Sequence, residues 1–81
     1  MPHTVHLFAR ARDLAGADTV TVELPAGATV ADLRHALAAR FPPLSDLLER
    51  SLIAVNHEFA EAACVLTPAD ELAVIPPVSG G

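Results

Sequence analysis

The chain is 81 residues long, room for one small domain and not for separate cofactor and substrate domains. A composition that is 52% hydrophobic and 19% charged excludes a disordered segment. Ten acidic residues against five arginines, with no lysine, give a formal net charge of -5, which argues against nucleic acid and against an anionic membrane surface as partners.

No apolar run approaches the roughly 18 residues a membrane span needs, and MPHTVHLF does not read as a signal peptide, so a cytoplasmic location is expected. One cysteine cannot close an intramolecular disulfide, so the domain must stand on its core.

In chain order, residues 4–11 alternate and read as a strand, with Val5, Leu7 and Ala9 on one face and His6, Phe8 and Arg10 on the other. A turn is expected over residues 13–18. Residues 19–24 alternate again, Val20, Val22 and Leu24 against Thr19, Thr21 and Glu23, so the two runs predict an antiparallel hairpin. Thr29 with Asp32 resembles a capping box, and the helix it opens runs from about Val30 to Arg40. Val30, Leu33, Leu37 and Phe41 make its apolar stripe. Pro42-Pro43 ends it, because proline disfavours helical geometry in the residue before it. Residues 44–50 could add one further helical turn.

Leu52-Ile53-Ala54-Val55 reads as a short buried strand. Asn56-His57-Glu58 turns the chain, Phe59 to Leu66 is ambiguous, and Thr67-Pro68-Ala69-Asp70 is a turn. Glu71 to Ile75 is the last strand. The order strand, strand, helix, strand, short strand, strand predicts an α+β fold of the β-grasp type, a mixed sheet wrapped over one main helix. The division expected is a domain over residues 1–75 and an extended tail over residues 76–81.

Conventional catalytic patterns do not occur: there is no GxSxG, CxxC, HExxH or glycine-rich phosphate loop. His3 and His6 fall on opposite faces of a strand, so no metal site is expected. His35 and His57 read as surface histidines, and Cys64 as a small buried hydrophobe. Asp70-Glu71 reads as a solvated turn.

The C-terminal segment is more specific. Pro76-Pro77 holds it extended, Val78 and Ser79 follow, and Gly80-Gly81 places no side chain beside the terminal carboxylate. At roughly 3.3–3.6 Å per residue the six residues from Pro76 reach about 20 Å, enough to enter another protein's active site.

Phe8-Ala9 followed by Arg12-Asp13-Leu14 and Gly16, then Ala54-Val55-Asn56, then the ending Pro76-Pro77-Val78-Ser79-Gly80-Gly81, resemble the ubiquitin-like sulfur carriers. The narrower resemblance, over essentially the whole chain, is to the small subunits of molybdopterin synthase. It implies a flexible Gly-Gly tail and no cofactor bound by the chain itself. A ubiquitin-activating-like adenylyltransferase would use ATP and magnesium to adenylate Gly81. A sulfur donor would then displace AMP and leave a thiocarboxylate. The large subunit of molybdopterin synthase, in a heterotetramer of two small and two large subunits, would receive the tail and pass sulfur to precursor Z, cyclic pyranopterin monophosphate. The acid and base groups would belong to that partner.

Parity supplies the interface residues. Phe8, Phe59 and Ile75 fall off the helix-covered face and are expected to form a patch for a partner. Beyond Arg50 the chain carries acids and no arginine, which suits a basic partner surface. A sulfur carrier for another pathway, such as thiamine or cysteine, a ubiquitin-like protein modifier, and a plain interaction module with an inert tail remain alternatives.

Overall fold

Alternation sets the first two strands. β1 (Pro2–Leu7) buries His3, Val5 and Leu7 and turns Thr4 and His6 the other way. β2 (Thr19–Glu23) runs antiparallel to it, with His3 opposite Val22 and Val5 opposite Val20. The computed structural model describes residues 1–77; the readings placed on Val78, Ser79, Gly80 and Gly81 lie outside them.

The connection between these strands corrects the expectation. A strand over residues 4–11 is not formed: β1 stops at Leu7, and Ala9–Ala15 is a helix, α1. The segment ARARDLA consists largely of strong helix formers. It also offers a sheet no large apolar side chain until Leu14. Gly16, at φ 76, ends the helix in the left-handed region, its N–H donating to the Arg12 carbonyl. Ala9 is exposed and Ala11 is buried.

α2 (Val30–Arg40) is the main helix. Its capping box is complete: the Thr29 N–H donates to Asp32 Oδ2 at 2.9 Å, and the Asp32 N–H to Thr29 Oγ1 at 3.4 Å. Val30, Leu33 and Leu37 are buried, while Phe41 is half-buried under the Arg40 guanidinium, 5.7 Å from its ring centre. Pro42 then starts a 3-10 turn, Pro42–Leu44, which leads into α3 (Ser45–Arg50). This short corner is longer than the single turn expected, and it buries Leu44, Leu47 and Leu48. Each such side chain contributes about 1.5–3 kcal/mol by leaving water.

β3 (Leu52–Val55), β4 (Glu58–Phe59) and β5 (Leu72–Ile75) complete a five-stranded sheet of order β2-β1-β5-β3-β4. β5 is parallel to β1 and antiparallel to β3. The chain's last strand therefore lies at the sheet's centre, the mixed β-grasp arrangement expected. The ambiguous stretch after Phe59 serves α2: the carbonyls of Ala62 and Cys64 accept the N–H groups of Ala31 and Val30. Those donors have no partner inside the helix. Cys64 is half-buried against the core.

One side of the sheet faces the helices, with Val5, Leu7, Ile53, Leu72 and Val74 at 2% exposure or less. The other side carries no helix among the described residues. No described helix is long and apolar enough to cross a membrane.

Candidate functional site: an apolar bowl on the open sheet face

Register builds the site. Across the open face one row runs His6, Ala73, Ala54, Phe59, each residue paired with the next. A second pairs Ile75 with Leu52, and Phe8 follows Leu7, which pairs with Val74. Small residues thus occupy the middle and large ones the rim. The result is a bowl of about 360 Å³ lined by His6, Phe8, Ala54, His57, Phe59, Glu71, Ala73 and Ile75.

The structure brings the three parity-derived residues into this one cavity. Phe8 is 49% and Phe59 67% exposed, so neither completes the core; Ile75 is half-buried. Phe8 stands out because β1 ends there, with Phe8 extended and Ala9 at φ 50 turning the chain into α1. Phe59 is set by the two-residue turn Asn56-His57, both at positive φ (53 and 70), as a tight antiparallel hairpin requires. Leu52 corrects the expectation of a fully buried strand: it is 50% exposed, because nothing described covers that face of β3. Pro76 and Pro77 continue from the end of β5; because β5 is parallel to β1, they leave the sheet at the end where Phe8 stands.

Polar groups occupy one side of the bowl. The His57 Nε2 lies 2.5 Å from Glu71 Oε2, and the His6 Nε2 lies 3.8 Å from Glu71 Oε1. Sequence reasoning missed this group, since the two histidines are 51 positions apart in the chain. His57 is a surface residue, as expected; His3 instead is buried on the opposite side of β1 from His6.

A clamp behind the bowl fixes it. Asn56 donates from Nδ2 to Asp70 Oδ1 at 2.9 Å, and its Oδ1 accepts the Glu71 N–H at 2.9 Å. Asp70 Oδ2 accepts the Thr67 N–H at 2.8 Å. The Thr67 N–H first, and the Asn56 amide second, hold the Asp70 carboxyl below its ordinary range. Asp70 therefore acts as a turn clamp while Glu71 faces the bowl. From residue 51 to 77 the charged groups are Glu58, Glu61, Asp70 and Glu71, with no arginine or lysine.

Comparison with known proteins adds an independent line. A family model described as the ThiS family matches residues 5–81. The molybdopterin synthase sulfur carrier subunit of Arabidopsis thaliana is 39% identical over 77 residues, covering 95% of this chain and 80% of that one. The protein of the same name from Dictyostelium discoideum is 38% identical, covering 93% of this chain and 91% of its own. Among solved structures, SAMP1 (small archaeal modifier protein 1) of Haloferax volcanii superposes with a TM-score of 0.88 at 34% identity over the whole of both chains.

Proposed function

The chain belongs to the ThiS family and, within the ubiquitin-like sulfur carriers, to that of the molybdopterin synthase sulfur carrier subunits, and from that premise we propose that it carries sulfur for molybdenum cofactor biosynthesis in the cytoplasm. The observation that carries the reading is the uncovered apolar bowl at the end of the sheet from which Pro76 and Pro77 depart. One surface docks the carrier, and the segment beside it delivers the reactive end.

A carboxylate is a weak electrophile until it gains a leaving group. The Gly81 carboxylate attacks the α-phosphorus of magnesium-bound ATP on an adenylyltransferase, releasing pyrophosphate and forming an acyl-adenylate. A sulfur donor displaces AMP and leaves a thiocarboxylate. That sulfur is anionic and soft near neutral pH, so it attacks carbon without a base from this chain; an oxygen substituent leaves that carbon, and water cleaves the resulting thioester, leaving sulfur on the acceptor and returning the Gly81 carboxylate. The acceptor is precursor Z in the large subunit of molybdopterin synthase, and two carriers are spent per dithiolene. Phe8, Phe59 and Ile75 hold the large subunit, in a heterotetramer of two carriers and two large subunits. Residues 76–81 form the delivering arm, in which Gly80 lets a narrow channel close around the backbone.

Intact mass of the chain after reaction with its activating enzyme, ATP and a sulfur donor tests this. One oxygen is expected to be replaced by one sulfur at Gly81, and deletion of Gly81 is expected to abolish transfer while circular dichroism is unchanged. Transfer at the normal rate by the truncated chain would overturn the reading.

The similarity to SAMP1 favours a second reading, a protein modifier joined through Gly81 to lysines of other proteins. The absence of lysine here forbids self-chains through lysine. Isopeptides ending in Gly81 on cellular proteins would establish it.

A further inference from the structure

We infer that Glu71 is the electrostatic anchor of the bowl, and that the surface docking there presents an arginine or lysine beside an apolar cluster. The inference rests on the docking role proposed above and specifies the partner's chemistry at that site.

Among the described residues Glu71 is the one carboxylate lining a bowl otherwise built from Phe8, Ala54, Phe59, Ala73, Ile75 and two imidazoles. In the free chain its side chain is about half exposed, at 48%, so water solvates it. A partner seated on Phe8 and Phe59 removes that water. A carboxylate covered in this way is costly unless a cation meets it. Among the described residues no arginine pairs with Glu71: its ionic contacts are His6 and His57, and neither is a permanent cation.

The geometry marks the imidazoles as occupants that can leave. His57 sits on the tip of a two-residue turn with its side chain 85% exposed, and His6 is 3.8 Å away, beyond hydrogen-bond contact. Glu71 itself is held: its backbone N–H and carbonyl are both bonded to Asn56. Around Glu71 the remaining charged groups do not compete for the role. Asp70 is turned to Thr67 and Asn56. Glu58 precedes Phe59 on β4, so strand alternation puts it on the other face. A guanidinium would suit Glu71 best, since it is always charged and can bond both oxygens.

In the complex the partner's cation takes the place of the His6 and His57 contacts on Glu71, so docking depends on the Glu71 carboxylate and weakens as salt screens the pair.

The test is affinity for the purified large subunit of molybdopterin synthase, measured at low and at high salt, for the wild-type chain, Glu71→Gln, His57→Ala and Phe59→Ala. Wild-type affinity is expected to fall as salt rises. Glu71→Gln is expected to lose about tenfold at low salt and to reduce the salt dependence. His57→Ala is expected to keep affinity, because the partner's cation takes its place on Glu71. Affinity and salt dependence that are unchanged in Glu71→Gln while Phe59→Ala weakens binding would overturn the anchor and leave the docking reading standing. No loss in Phe59→Ala would overturn the docking reading itself.

Discussion

The two faces of the sheet are made by the same strands and obey opposite rules. On the helix side, Val5, Leu7, Ile53, Leu72 and Val74 are large, apolar and out of water. On the open side, the neighbours in alternation are His6, Phe8, Leu52, Ala54, Ala73 and Ile75, and Phe8 and Leu52 remain half in water. An apolar face covered by its own chain reports on stability. One left uncovered, with small residues in the middle and aromatics at the rim, reports on a partner. Alternation alone writes both messages into one strand.

The sharpest way to break this comparison is to truncate one residue on each side. Leu37→Ala, on α2 against the covered face, is expected to cost about 2–5 kcal/mol of stability by loss of burial plus a cavity, read by urea unfolding. Phe59→Ala, on the open face, is expected to cost about 1–3 kcal/mol of affinity for the large subunit, read by calorimetry, with almost no change in the unfolding midpoint. If Phe59→Ala unfolds the domain and leaves affinity unchanged, the two faces do not divide the work as described.

Smaller effects sharpen the boundary. Thr29→Ala removes the capping box of α2 and is expected to lower stability by about 1 kcal/mol, with unaltered docking, since it lies on the covered side. The smallest expected effect is at Asp70. Its carboxyl is held below its ordinary value of 3.8 by the Thr67 N–H and the Asn56 amide. The stabilisation is therefore complete above the ordinary aspartate range and is lost as pH falls through the lower folded value. Acid unfolding of Asp70→Asn should accordingly show a weaker dependence on pH below that range than the wild type. An identical acid profile would remove Asp70 from the clamp.

Much of this was legible in the sequence, and for local reasons. The capping box of Thr29 and Asp32, the stop at Pro42 and the alternation of Val20 and Val22 depend on neighbours within a few residues. The rim of the bowl was legible through parity at Phe8 and Ile75, and at Phe59 through its place just after the Asn56 turn. Three things were not. α1 was hidden because Ala9, Arg10 and Ala11 can satisfy an alternating pattern without any large apolar side chain to enforce it. The exposure of Leu52 was hidden because a short apolar run does not say how many of its faces are covered. The Glu71 group was hidden because His6 and His57 meet it only after β5 inserts between β1 and β3, a pairing between distant parts of the chain.

The most direct test of the central claim is an NMR map of the isotopically labelled carrier as the unlabelled large subunit is added. Signals of Phe8, Leu52, Phe59, Ala73 and Ile75 are predicted to shift or broaden first, with the groove between α2 and α3 around Ala31, Ala38 and Leu48 undisturbed. Perturbation centred on that helical groove, with the open sheet face unmoved, would contradict the account.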